Sequence, residues 1–330
     1  MKVALVIFLI ASAVPIEEPS EYSLNKEYPR FIKFPDGEGN LHDVDLEEKP
    51  DMELVEEVTR NPANNLYLLF TRRNRLIAQT LTMNNANSIT NSNFNPSAPT
   101  LVIVHGWLSN RYTSINPTMR DAYLNKGDYN VIVMDWRALA LTAYATAVAG
   151  VPGVGRGLGE FLVFVNSVTG APFSSMHLAG FSLGAHVVGN AGRATGGRVA
   201  RVTALDPAGP LWNYNRDRVN PNDGVYVEAI HTDGGLGGLG IGSNVANADF
   251  YPNGGNSQPG CLTSLCNHER AWEFFSATIT YNHLVGRQCS SNLQITWNTC
   301  TGSQFNMGND NLTKTGSGMY RLNTNRSYPY

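Results

Sequence analysis

A chain of 330 residues with 42% hydrophobic content can build one large core but not two large domains. Its formal charge of −3, with no clustered basic face, excludes the nucleic-acid-binding class. Beyond the N-terminus there is no uninterrupted apolar stretch of about 18 residues, so no membrane span is expected.

The chain opens with Met1 and Lys2, an apolar run over 3–10, then Ala11, Ser12 and Ala13. A cation, a short greasy stretch and small residues at −3 and −1 describe a secretory signal over residues 1–13 and an extracellular destination. Residues 14–60 then carry fourteen acids against five bases, with Pro15, Pro19, Pro29, Pro35 and Pro50. Without sustained periodicity, this stretch reads as a poor core element and as an acidic propeptide, with Arg30 or Arg60 as its cleavage point. The remainder, 61–330, is about +5 and is expected to hold the functional domain.

From residue 66 onward, short β-branched runs alternate with helical or loop stretches. The runs are 66–70, 100–105, 130–135, 176–180, 199–205 and 225–231. Several are apolar on both faces, as buried parallel strands are. The alternation predicts an α/β domain with a doubly wound, mostly parallel sheet. Residues 84–99, rich in Asn, Ser and Pro, read as an exposed connection. There is no internal repeat.

The central motif is Gly180-Phe181-Ser182-Leu183-Gly184. It follows a strand-like run and precedes a helix-compatible one, the context of a nucleophile elbow. Glycines two residues either side let the turn fit between strand and helix. Ser182 is therefore the candidate nucleophile. Such a serine needs a base, and the base an orienting carboxylate downstream in the order Ser, Asp, His. Asp206 ends an apolar run at the sheet edge where such sites form; Asp223, Asp233 and Asp249 are rivals that also suit turns. Among histidines, His186 lies inside the helix after the elbow and His231 ends an apolar run, so both read as packing residues. His283 stays conceivable. His268 is favoured, on a loop beside Cys266 and ahead of a helix over 271–279. The oxyanion needs two amides: Leu183 after the nucleophile, and Trp107 in the turn His105-Gly106-Trp107 after an early strand.

The four cysteines, Cys261, Cys266, Cys289 and Cys300, allow three pairings; the pairing that closes two local loops is the expected one. Their spacing fits no zinc site, and no cofactor is expected. Asn311-Leu312-Thr313 and Asn325-Arg326-Ser327 are glycosylation sequons.

Taken in order, several motifs resemble those of the pancreatic lipase family: His105-Gly106-Trp107, Asp135-Trp136-Arg137, the Ser182 elbow, Leu205-Asp206-Pro207-Ala208-Gly209-Pro210, Ile230-His231-Thr232-Asp233-Gly234, 249–255 and Cys266-Asn267-His268. The resemblance covers roughly 62–305. It implies an α/β-hydrolase fold, the triad Ser182, Asp206 and His268, oxyanion amides at Trp107 and Leu183, and both local disulfides. Three departures shape the expected activity. The chain leaves no room for a C-terminal β-sandwich, so colipase is not an expected partner. The loop enclosed by Cys261 and Cys266 has four residues where lidded relatives have about twenty, and the Gly-rich 233–249 loop is also short and, from its glycines, mobile. Both resemble the phospholipase A1 branch. At the family's calcium position Arg218, Asn220 and Asp223 supply few anionic oxygens, so calcium is not expected to be required.

The expected protein is thus a secreted, monomeric serine lipase acting at a membrane, micelle or droplet surface. It would take the sn-1 ester of phospholipid or galactolipid. The alternatives are a neutral triacylglycerol lipase and, from another class, a lipid-binding or yolk-type protein that has lost catalysis.

Overall fold

The computed structural model describes residues 28–36 and 39–330. The expected signal segment, 1–13, and residues 14–27 of the acidic segment lie outside the described residues. The elements run β1 (Phe31–Pro35), β2 (Leu41–Asp45), α1 (Met52–Arg60), β3 (Leu66–Phe70), β4 (Gln79–Leu81), α2 (Ala86–Thr90), β5 (Thr100–Val104), α3 (Ile115–Lys126), β6 (Asn130–Asp135) and α4 (Arg137–Ala140). They continue with α5 (Tyr144–Thr169), β7 (Met176–Phe181), α6 (Leu183–Ala194), β8 (Arg201–Leu205), β9 (Tyr226–Ile230) and β10 (Ala248–Pro252). The last are α7 (Ser264–Tyr281), β11 (Val285–Cys289), α8 (Asn292–Trp297), β12 (Gln304–Asn306) and β13 (Gly318–Leu322).

Eleven strands form one sheet in the order β12-β11-β13-β10-β9-β8-β7-β5-β6-β3-β4. From β13 to β6 all neighbours are parallel; the antiparallel pairs lie at the two edges. The parallel strands are buried on both faces, which is why they read as continuous apolar runs. Val102 and Val104 face a core shared with α1, α5 and α6. Leu101 and Ile103 face a second core shared with α3 and α7. This is an α/β-hydrolase sheet with a helical layer on each side.

One helix among the described residues, α5, is long and apolar enough to cross a membrane. Here it lies against α6, where Gly155 and Gly159 bring the two axes close. A Cβ on either would collide with the Asn190 or Ala194 side chain. Its apolar character is that of a core helix.

The described part of the acidic segment departs from expectation. Residues 30–60 are not a poor core element: Phe34, Val44, Val55 and Val58 are buried in the main core. Val55 and Val58, three residues apart, put one face of α1 against α5 while its acids stay in water. The helix is capped by Asp51, whose Oδ1 accepts the Leu54 amide at 2.9 Å.

Candidate active site

Strand β7 ends at Phe181, and helix α6 begins at Leu183. The whole reversal therefore falls on Ser182, whose φ of 57° and ψ of −122° no ordinary residue prefers. The flanking glycines allow it. A Cβ on Gly180 would lie 2.0 Å from the Gly184 carbonyl oxygen, and one on Gly184 would lie 2.4 Å from that of Val104. The turn places Ser182 at the C-terminal edge of the sheet and at the positive end of α6.

Asp206 follows β8, the next strand in the sheet, and is fully buried. Its Oδ1 accepts the amides of Thr232 (2.7 Å) and Asp233 (3.1 Å). Its Oδ2 lies 2.5 Å from Nδ1 of His268. A carboxylate can only accept, so Nδ1 of His268 donates to Asp206 and Nε2 lies on the far side of the ring from it. His268 is not loop-borne as expected. It sits in the first turns of α7, because Thr263 caps that helix through the Cys266 amide. The two local disulfides, Cys261–Cys266 and Cys289–Cys300, are formed; the first clamps the chain just before His268.

Ser182 Oγ and His268 Nε2 are both buried without a hydrogen-bond partner, and both residues line one cavity. Gly106 and Trp107 line it too. A Cβ on Gly106 would sit 3.0 Å from Cβ of Ser182, so the backbone of this turn passes directly beside the serine. Among the described residues, neither the Trp107 nor the Leu183 amide is engaged as a donor.

The turn is held by residues whose motifs the sequence displayed without revealing their job. Trp136 Nε1 donates to the His105 carbonyl at 2.8 Å, and the His105 ring is 3.3 Å from Asp135. Asp135 also accepts from Arg137, and these partners hold its carboxyl well below the usual range despite burial. The Trp107 indole donates to Thr142 at 2.9 Å.

Every rival named from sequence has other work. His186 stacks on Trp212, its Nε2 donating to Ala208 and its Nδ1 accepting from Val219. His231 pairs with Asp249 at 2.9 Å, and His283 contacts the Pro329 carbonyl at the surface. Asp223 is taken by the Arg193 guanidinium at 3.0 Å, and its other oxygen accepts the Asn220 amide. At the position expected to be a poor calcium site, the acid thus already faces a cation of the protein.

Asp233 is the residue sequence reasoning undervalued. It is buried behind Asp206, accepts the Leu239 amide at 2.7 Å and is bonded by Ser264. Burial, and then the charge of Asp206, push its carboxyl up to about 6. The Gly-rich loop after it is strapped down: Leu239 O accepts from Gly209 at 2.7 Å, and the Ile241 amide donates to Pro207 at 2.8 Å. Gly240 within it packs against the Asp206 carboxylate. Gly240 thus serves close approach to that carboxylate.

The family model Lipase matches residues 42–330. The chain belongs to the lipase family. Pancreatic triacylglycerol lipase of Mus musculus is 32% identical over 263 residues, 72% of this chain and 56% of that protein. Lipoprotein lipase of Gallus gallus is 32% identical over 74% of this chain and 56% of its own length. Lipase member H-A of Xenopus laevis is 36% identical over 71% of this chain and 53% of its own. This lipase-family chain therefore spans about half the length of the curated relatives it matches.

Proposed function

We propose that this lipase-family chain is a secreted hydrolase of lipid carboxylic esters with Ser182 as nucleophile, His268 as general base and Asp206 as the orienting acid. The observation that carries it is the convergence of three sequence-distant groups: an unpartnered Ser182 Oγ, an unpartnered His268 Nε2 in the same cavity, and a fully wired Asp206 behind the imidazole. His268 takes the Ser182 proton as Oγ attacks the ester carbonyl. The Trp107 and Leu183 amides hold the oxyanion, the alcohol leaves, and water attacks the acyl-enzyme by the same base. Two disulfides and the residue 1–13 motif support the secreted reading.

For substrate, the four residues between Cys261 and Cys266 favour polar lipids, phospholipid or galactolipid, because so short a loop leaves headgroups uncovered. A second reading, neutral triacylglycerol, is favoured by the names of the pancreatic and lipoprotein lipase relatives. The lipid-binding, non-catalytic reading is disfavoured by a complete Ser182–His268–Asp206 set. The test is hydrolysis of matched phosphatidylcholine, galactolipid and triacylglycerol by the purified chain, before and after limited proteolysis, beside Ser182→Ala. Ester turnover that Ser182→Ala abolishes supports the reading. Turnover equal in that variant, or none in any form, overturns it.

A further inference from the structure

The cavity that Ser182 and His268 share is almost full. Its volume is about 20 Å³. That is room for about one water, whereas small-molecule ligand sites run to roughly 300–1,000 Å³. Both side chains are only 2% exposed. The β1–β2 hairpin contributes part of the cavity's lining. Phe34, Pro35 and Asp36 line the same cavity as the serine. The Phe34 ring lies edge-on to Trp107 at 5.0 Å and to His268 at 6.4 Å, and packs on Tyr144 at 5.4 Å. His42, from the second strand, adds an edge contact with Trp107 at 6.2 Å. The tight turn of the hairpin abuts Leu265, inside the short Cys261–Cys266 loop. At its base Tyr28 donates to the Gly238 carbonyl at 3.0 Å, locking the start of the hairpin onto the loop behind Asp206.

This cover packs on the main core but is not hydrogen-bonded into the central sheet beneath it. Among the described residues, strands β1 and β2 pair only with each other and form a sheet apart from the eleven-stranded one. A lone two-stranded hairpin is marginal in water, so its order here comes from the surface it sits on. Residues 47–50, which join it to α1, are all exposed. On the far side of that connector the chain is anchored independently: the Asp51 amide donates to Thr146 at 3.0 Å, and Val55 and Val58 are buried. The two basic residues considered from sequence suit release less well. A cut after Arg30 would leave both strands attached, and a cut after Arg60 would take away α1.

Resting on the esterase reading above, we propose that the β1–β2 hairpin is an inhibitory plug in the Ser182 cavity, and that residues 47–50 are the processing site whose cleavage opens it. An endopeptidase would hydrolyse one peptide C–N bond there, water supplying hydroxyl to the carbonyl carbon and a proton to the leaving amine. The freed hairpin then exchanges its contacts on Trp107 and His268 for water, and the acyl chain of a lipid takes the vacated space.

The test inserts a site-specific protease sequence into residues 47–50 of the full chain. The rate of labelling by a small fluorophosphonate is then measured before and after the cut, with gel filtration to show that the hairpin has left. Labelling should rise at least about tenfold on release, a difference of about 1.4 kcal/mol in access. Phe34→Ala, which hollows the plug without a cut, should label the intact chain at an intermediate rate, and it decides the matter if the cut chain unfolds. Equal rates in the intact, cut and Phe34→Ala chains overturn the plug while leaving the esterase reading intact. A fall on release makes the hairpin part of the binding site and likewise overturns it. No labelling in any form, with the hairpin shown to have left, overturns the esterase reading and the plug with it.

Discussion

His268 faces two different environments. Through Nδ1 it meets a carboxylate held by two backbone amides, backed by a second buried acid and strapped by a Gly-rich loop. Through Nε2 it meets a nearly closed cavity in which neither it nor Ser182 Oγ has a partner. One half is finished; the other is poised. Orientation of the imidazole has to be built in advance, because a rotating ring would lose its alignment at each turnover. On the proposed reading the serine half has no such need, since substrate and the Trp107 and Leu183 amides would complete it. Unsatisfied buried polar groups cost about 1–3 kcal/mol each, a cost that folds accept at functional sites.

Breaking the poised half should have the largest effect. Ser182→Ala is expected to lower kcat by at least about 10⁴-fold with little change in melting temperature, measured on a soluble ester with the hairpin released. Breaking the finished half comes next. Asp206→Asn should cost on the order of 10³–10⁴ in kcat, because an amide cannot hold the same imidazole tautomer; unfolding in urea should show the change is not one of folding alone.

Gly240→Ala sharpens the comparison. The added methyl would fall 2.5 Å from both oxygens of Asp206, so the carboxylate must shift. A displacement near 1 Å is expected to cost about 10–100-fold in kcat/KM while fluorophosphonate still labels Ser182. The smallest effect belongs to Asp233. With its carboxyl near 6, the pH profile of kcat/KM should carry an inflection there that Asp233→Asn lacks, changing the rate a few-fold. Stability follows with a definite sign. The folded state binds this proton more tightly than the unfolded chain does, so between about 4 and 6 the Asp233 contribution to stability falls as pH rises. The Asn variant should lack that slope in thermal melts.

Much of this was legible from residue order. The parallel strands announced themselves because both faces are buried, leaving no polar residue to interrupt Leu101–Val104 or Val131–Met134. Ser182 was legible from a turn that only certain residues allow, and Asp206 from its place at the end of an apolar run. The edge strands β4, β11, β12 and β13 were not, because they are short and half exposed and mix polar with apolar residues. Reading the acidic segment as unpacked failed for a related reason. Composition averages over Phe34, Val44, Val55 and Val58, four apolar contacts spread among fourteen acids. The helical setting of His268 was hidden because two polar residues and a cysteine open α7. Asp233 was undervalued because its significance is a distance to Asp206, and neighbours across a sheet edge do not show in spacing.

The most direct measurement is the site of covalent capture. The chain, intact and with the hairpin released, is treated with a fluorophosphonate, digested and mapped by mass spectrometry. The expected result is a single adduct on the peptide containing Ser182, absent from Ser182→Ala. An adduct on another residue, or none in either form, would contradict the account.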